Sequence, residues 1–588
     1  MRYFILTIGL CVLFLSCQNK DYTTITSLKD NKALLIQRYK ELCNKSAQLA
    51  ATTTHKNTLK QTQQLFKECR LAYKKVESSI AFYFPETTSK INGAAIDKND
   101  IQETSKKIEK ATGFQKVEEL LFATNPDLEA LNAEIKTLNG YINTLKVKVQ
   151  NLELTDSNIF EAQKLEMVRL MSHSITGYDS PIALHSLPES IAILQSIQEI
   201  IAPYKHDDTL NTTITNAIAF IQKESDFNRF NRAQFILKYC IPISKKIHAI
   251  QNQLHIPNNT TTGALNFDKV TIVAENAFNI DYFAPYYNKK PTTPQITLGE
   301  KLFTDTILSG DNTVSCTTCH VPSQAYADHK KTALNNKQSR NTPTLLNAGF
   351  QNVLFLDSRV NFLEDQAKAV INNKDEMHGS FAHALQKVKA SKKYQQEFKL
   401  AYPTSPEITE INLLKSIASY IRTLSKLNSK FDAYLRGQAS ITKEEENGFN
   451  IYMGKGKCAT CHFFPLFNGS IPPLYDEIES EVLGVPQKNQ LTKATIDPDL
   501  GEYNVHKAPL KKYAFRTPTV RNTAITFPYM HNGVYNTLEE VITFYNKGGG
   551  YGTGISLDNQ TLSKDELHLT KKEIQDLISF IKTLNTSY

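Results

Sequence analysis

Two copies of one short motif carry the chemistry of this 588-residue chain: Cys316-Thr-Thr-Cys319-His320 and Cys458-Ala-Thr-Cys461-His462. Paired thiols separated by two residues can each form a thioether to a porphyrin, and the histidine that follows can bind its iron. Each motif therefore reads as a c-type haem attachment site. The competing readings are a zinc site and a redox dithiol. Zinc asks for four ligands where each motif offers three, and a dithiol has no use for the adjoining histidine. The two histidines lie about 140 residues apart, which suits one haem per small domain rather than one clustered multihaem core. Two covalently bound haem c groups are expected, held by Cys316, Cys319 and His320 and by Cys458, Cys461 and His462.

The elements that must position these motifs follow from length and periodicity. A chain of this length with 41% hydrophobic residues supports roughly two to four domains with real cores. From about residue 27 to 255, apolar residues recur at helical spacing, as in Leu34-Leu35-Tyr39-Leu42 and Leu65-Phe66-Cys69-Tyr73-Val76. Pro257-Asn-Asn-Thr-Thr-Thr-Gly263 is a polar breaker, and Pro291-Thr-Thr-Pro294 marks a second boundary. Beyond it, short helices alternate with long polar loops, the pattern of domains whose cofactor fills much of the core. The last helix, around Ile574-Leu577-Ile578-Ile581, has one apolar stripe. The expected fold is mainly α. A helical bundle over 18–256 and a linker over 257–294 precede two cytochrome c-type haem domains, at 295–435 and 436–588.

The start reads as an export signal. Arg2 precedes a short apolar run from Tyr3 to Leu15, and Leu15-Ser16-Cys17 follows. That run is too short for a permanent bilayer span, and a small residue directly before cysteine resembles the bacterial lipobox. Residues 1–17 are thus expected to be a lipoprotein signal with Cys17 as a lipid anchor, against the alternative of ordinary cleavage that discards it. Of nine cysteines, four attach haem, Cys11 lies in the signal and Cys17 is the anchor. Cys43, Cys69 and Cys240 remain, enough for at most one internal disulfide. The net charge of +8 is spread along the chain without a basic cluster, so nucleic acid is not an expected partner.

Further stretches match a known family. They are Ser309-Gly-Asp-Asn-Thr-Val-Ser-Cys316, Arg340-Asn-Thr-Pro-Thr-Leu-Leu-Asn347, Phe515-Arg-Thr-Pro-Thr-Val-Arg-Asn522 and Pro528-Tyr-Met-His-Asn-Gly533. With both haem motifs in order, residues from about Leu298 to Leu584 resemble the dihaem bacterial cytochrome c peroxidase and MauG family. Splitting the O–O bond of hydrogen peroxide needs an iron with an open position and a base that moves a proton between the two oxygens. The resemblance implies that Glu376 and Gln366 do this at the first haem. Family peroxidases often carry a displaceable distal histidine in the loop that here runs from Val321 to Arg340. The only histidine there is His329, earlier than the family position, which Thr-Ala-Leu-Asn-Asn occupies. A five-coordinate first iron is expected, with His329 a surface residue.

At the second haem, the resemblance offers two axial ligands opposite His462. The position of the family's axial methionine holds Tyr545, in Phe-Tyr-Asn-Lys-Gly-Gly-Gly, which resembles the MauG branch; Met530 is the alternative. His531 is expected near that haem without binding iron. The resemblance also implies one calcium ion between the haems, bound by the Asn341 side chain and the carbonyls of Thr526 and Pro528, a suitable all-oxygen set. The family's inter-haem tryptophan is replaced by Leu356, and the chain contains no tryptophan at all.

In the first half, Leu65-Phe-Lys-Glu-Cys-Arg-Leu-Ala-Tyr-Lys-Lys-Val-Glu77, Gly113-Phe-Gln-Lys-Val-Glu-Glu-Leu-Leu-Phe122 and Asp179-Ser-Pro-Ile-Ala-Leu184 resemble the imelysin-type helical domain. Its His-X-X-Glu motif is altered here, with Gln115 standing before Glu118. A docking or spacing role is therefore expected over a metal site, with His173 and His185 structural. The resulting expectation is a periplasmic, membrane-anchored cytochrome-c peroxidase of the cell envelope. It would reduce hydrogen peroxide to water with electrons from a small cytochrome c or cupredoxin. The alternatives are a MauG-like oxidase of a protein or small molecule, and a non-catalytic electron-transfer cytochrome.

Overall fold

The computed structural model describes residues 2–52, 54–99, 107–259, 263–333 and 340–588, with side chains described from residue 26 onward. The expected signal and the lipid anchor at Cys17 fall outside the described side chains, and part of the Thr-Ala-Leu-Asn-Asn stretch also lies outside the described residues. The chain is mainly α-helical and divides into two compact units, residues 1–97 with 110–261 and residues 98–109 with 262–588. Among the described residues, no helix is long and apolar enough to cross a membrane.

The first unit is built from helices. Arg2–Ala51 packs against Leu59–Lys74 and Leu128–Thr144, and Leu59–Lys74 against Ser186–Ile201. Starts are fixed by side-chain caps: Asp127 accepts from the Ala130 N–H and Thr155 from the Asn158 N–H. The periodic residues Leu35, Tyr39, Leu42, Phe66, Cys69, Tyr73 and Val76 all face one core. That core also encloses charge. Arg70 grips Glu189 through two bonds of 2.6 and 2.7 Å, and Lys74 Nζ lies 2.7 Å from both Glu77 and Asp179. Cys43, Cys69 and Cys240 are buried free thiols.

The second unit repeats one device in each half. Helix Thr293–Thr304 crosses Glu410–Thr423 in the first half, and helix Lys443–Met453 crosses Lys571–Lys582 in the second. Both crossings close on a glycine. A Cβ on Gly299 would meet the Ser416 carbonyl oxygen at 1.9 Å, and one on Gly448 would meet the Asp576 carbonyl oxygen at the same distance. Capping boxes set three of the four helix starts, at Thr292/Gln295, Thr442/Glu445 and Thr570/Glu573. A buried bidentate pair anchors each half, Arg422 on Glu364 and Arg521 on Asp432, all four bonds 2.8 Å. Residues ahead of Thr293 join this unit: Phe278 packs edge-on against Phe350 and Tyr475. Strand Ser480–Val482 pairs antiparallel with Ala514–Arg516, placing Glu481 opposite Phe515.

Candidate haem sites

Each Cys-X-X-Cys-His motif folds as a short 3₁₀ turn, Cys316–Thr318 and Cys458–Thr460, with the histidine N–H returning 2.9 Å to the first cysteine carbonyl. This turn brings both thiols and the imidazole together. None of the four cysteines is tied up in a disulfide, so each sulfur is available for a thioether. The His320 Nδ1 lies 3.1 Å from the Tyr326 carbonyl, and the His462 Nδ1 lies 2.9 Å from the Pro518 carbonyl. A carbonyl on Nδ1 fixes the tautomer that leaves Nε2 to bind metal. Burial also lowers both imidazoles, His462 to about 4, so they stand neutral as ligands must. Free paired thiols and oriented histidines fit covalently attached haem at both places.

Sequence reasoning did not identify the carbonyl partners, although the sequence repeats their context. Arg340-Asn-Thr-Pro343 and Arg516-Thr-Pro518 are two versions of one motif; the Pro518 carbonyl holds His462, and the Pro343 carbonyl faces the His320 ring. Asp328 was also missed. It is buried, is held by Thr342 Oγ1 at 3.1 Å, and acts electrostatically on both His320 and Cys319.

On the first motif, Glu376 falls in helix Lys374–Met377 and is half-buried; Asn373 Nδ2 donates to its Oε1 at 2.7 Å. Burial raises its carboxyl above the usual range, opposed by the Asn373 bond and by Arg359. Glu376 and Asp328 both act electrostatically on the Cys319 sulfur, so Glu376 lies within electrostatic range of the motif. Gln366 is half-buried on helix Leu363–Asn372, which packs directly against the Glu376 helix. His329 is half-buried, packed on the exposed Phe527. Its ring stacks on Phe527 with centroids 4.4 Å apart, and its Nε2 lies 3.1 Å from the Ile525 carbonyl. These partners sit almost two hundred positions away, where local polarity gives no hint of them.

Around the second motif, Tyr545 lies on helix Leu538–Asn546. Burial, followed by the nearby Cys461 and Cys458 thiols, raises its phenol well above the ordinary value. Met530 packs in the same small core with Val485, Val534, Tyr535 and Phe544. His531 points elsewhere: its Nε2 meets Asp497 at 3.1 Å and its ring stacks on Phe515 at 3.9 Å. Burial would raise Asp497, but the His531 and Asn532 bonds hold it down at about 2.

Between the motifs, the Leu356 carbonyl accepts from the Arg516 N–H at 2.9 Å, and Arg359 lies 3.4 Å over the Phe355 ring. Arg340 spans Asp357 and Asp499 at 2.8 and 2.6 Å. Asn341 meets the Pro528 carbonyl through its Nδ2 at 2.8 Å. Asn341 and Pro528 thus come together, but a calcium ion would require the amide to turn and offer its oxygen.

In the helical unit, the Glu118 Oε1 accepts from the Ile182 and Ala183 N–H groups at 2.9 and 2.8 Å, and Gln115 is buried beside it in the same helix. His173 stacks on Tyr178, and His185 Nδ1 lies 3.3 Å from Glu189. Among the described residues, the only cluster of three His, Cys, Asp or Glu side chains with converging ligand atoms is Cys461, Glu479 and Glu481, in the other unit.

Two carbonyl-braced Cys-X-X-Cys-His turns in one helical unit define a protein of the c-type dihaem class. The family profile for di-haem cytochrome c peroxidase matches residues 293–440. The cytochrome-c peroxidase IdrP1 of Pseudomonas sp. (strain SCT) is 32% identical over 318 residues, covering 50% of this chain and 81% of that protein. The methylamine utilization protein MauG of Methylorubrum extorquens is 30% identical over 305 residues, covering 51% and 81%. Among solved structures, a MauG-like protein associated with microbial copper homeostasis aligns at 26% identity with a TM-score of 0.44, covering 52% of this chain and 92% of that one. The chain belongs to the dihaem cytochrome c peroxidase and MauG family.

Proposed function

We propose that this protein is a periplasmic peroxidase that reduces hydrogen peroxide to two waters, drawing electrons from a small cytochrome c or cupredoxin. The observation that carries the reading is Glu376, a carboxyl raised by burial and set within electrostatic range of the first haem motif. A carboxyl tuned upward toward the working pH is the kind of group that can both take and return a proton. When bound, the two haems supply the iron that cleaves the O–O bond and the store for the second oxidising equivalent. Glu376 takes the proton of the peroxide oxygen that binds and returns it to the oxygen that leaves, with Gln366 orienting the substrate from the adjoining helix. His320 and His462 would hold the two irons, and Tyr545 would supply a second ligand at the second one, with Met530 as the alternative. A calcium ion on Asn341, Thr526 and Pro528 and a lipid anchor at Cys17 belong to the same reading. The helical unit acts as a docking or spacing element.

The position of Tyr545 favours a second reading, a MauG-like oxidase that modifies a protein or small molecule. A phenolate is a hard donor that favours oxidised iron, and this phenol lies against the second thiol pair. Rapid-mixing absorption spectroscopy of the oxidised holoprotein with one equivalent of hydrogen peroxide tests both. Fast spectral conversion followed by turnover with a reduced cytochrome supports the peroxidase. Conversion with turnover only on an organic or protein substrate favours the oxidase. Inertness in both the oxidised and one-electron-reduced states overturns both.

A further inference from the structure

A line of tyrosines leads from the first proximal histidine to the protein surface. Tyr326, whose carbonyl holds His320 Nδ1 at 3.1 Å, is one hydrogen bond from the ligand of the first haem. Its own phenol is buried and meets the buried Tyr420 phenol at 3.0 Å. Phe303 packs against both rings, with centroids 6.3 and 5.2 Å away. The Tyr326 ring also stands edge-on to Tyr588, 6.1 Å between centroids. Tyr588 is 52% exposed, and the Ala325 N–H donates to its hydroxyl at 3.0 Å, which fixes the ring beside Tyr326. Peroxide cleavage uses none of these phenols.

We propose that Tyr588 is a surface site of one-electron oxidation, served by the first haem through Tyr326, for phenolic substrates too large to reach the haem. The proposal rests on the peroxidase reading, which supplies the oxidant: the haem centre after it has reacted with peroxide. Tyr588 loses one electron to that centre. Its O–H bond breaks, the proton passes to solvent, and a neutral tyrosyl radical remains. A phenol at the surface then gives one electron and one proton to Tyr588, restoring it and leaving as a phenoxyl radical. Among the described residues, Tyr588 alone combines a ring contact with Tyr326 and open access to water for its proton. Tyr326 and Tyr420 are buried and hydrogen-bonded to each other, so they keep their protons, and Tyr326 serves as a bridge.

The test mixes oxidised holoprotein with one equivalent of hydrogen peroxide, without donor, and follows absorption and freeze-quenched EPR in parallel. A tyrosyl radical should follow the optical change. Tyr588→Phe should lose the radical while the optical change keeps its rate, and Tyr551→Phe, at a phenol that is 50% exposed elsewhere, should retain it. Peptide mass spectrometry should find peroxide-dependent dityrosine at Tyr588 in the wild type and in Tyr551→Phe. Oxidation of a phenol linked to a large soluble polymer should be lost in Tyr588→Phe. An undiminished radical in Tyr588→Phe, or optical conversion of the wild type without a tyrosyl radical, overturns this inference alone. Absence of any optical change overturns the peroxidase reading and this inference with it.

Discussion

Replacing Glu376 by glutamine isolates proton transfer from everything else the residue does. The amide has the same shape, and its oxygen can still accept the Asn373 Nδ2 that now bonds Oε1 at 2.7 Å. Exchanging a bond to a charged acceptor for one to a neutral acceptor costs about 1 kcal/mol. In a unit of this size that lowers the melting temperature by roughly 1–2 °C. The chemical loss is much larger. A positioned base contributes on the order of 10²- to 10⁴-fold, or about 3–5 kcal/mol of barrier. The assay is the pseudo-first-order rate of spectral change on mixing oxidised holoprotein with excess peroxide. The wild-type rate should fall with decreasing pH. The base acts as the carboxylate, that form is present above its pKa, and burial sets this pKa above the ordinary carboxylate range. Glu376→Gln should lose that acid limb together with the rate. A variant that reacts within about threefold of wild type and keeps the limb would remove Glu376 from the chemistry, since even the low end of general-base catalysis exceeds that margin.

If Tyr545 binds the second iron as proposed, Tyr545→Phe should shift the ferric haem spectrum; an unchanged spectrum would transfer the role to Met530. Gly448→Ala places a Cβ where the Asp576 carbonyl already stands at 1.9 Å, so the helices must part. It should cost about 1–3 kcal/mol or more in chemical denaturation, as should Gly299→Ala at the equivalent crossing. Glu189→Ala leaves Arg70 charged and enclosed, because both side chains are fully buried. It should destabilise the helical unit by about 3–5 kcal/mol, measured by its unfolding transition, and a change under about 1 kcal/mol would contradict the pairing.

Recognising the attachment motifs in the sequence required only residue type and spacing, because covalent haem chemistry fixes both. The helical first half was legible for a similar reason: Leu35, Tyr39 and Leu42, or Phe66, Cys69 and Tyr73, recur within a few residues, and a buried stripe needs nothing more. The rest depends on partners far along the chain. Lys74 and Glu77 read as the polar face of a helix, yet Asp179, about a hundred residues later, neutralises Lys74 inside the core. His329 sits in a polar loop, and the aromatic face that half-buries it belongs to Phe527.

The histidine partners were hidden by chemistry as well as by distance, because a carbonyl can come from any residue. For His462, the Arg516-Thr-Pro518 stretch, which recurs as Arg340-Asn-Thr-Pro343, marks where the carbonyl lies, whereas the Tyr326 carbonyl that holds His320 lies in no repeat. That recurrence has a physical cause. A proline has no N–H to donate, so it does not compete for the imidazole, and its ring fixes the backbone that presents its own or the neighbouring carbonyl. Two residues before Pro518, the Arg516 side chain donates through Nε to the Phe355 carbonyl at 3.1 Å, and its backbone N–H donates to the Leu356 carbonyl at 2.9 Å. Replacing the Arg516 side chain therefore removes the Nε bond to Phe355, one of two ties between the Ala514–Arg516 strand and the Phe355–Leu356 segment. The N–H bond to Leu356 survives any substitution but proline, so the two ties are separable by mutation.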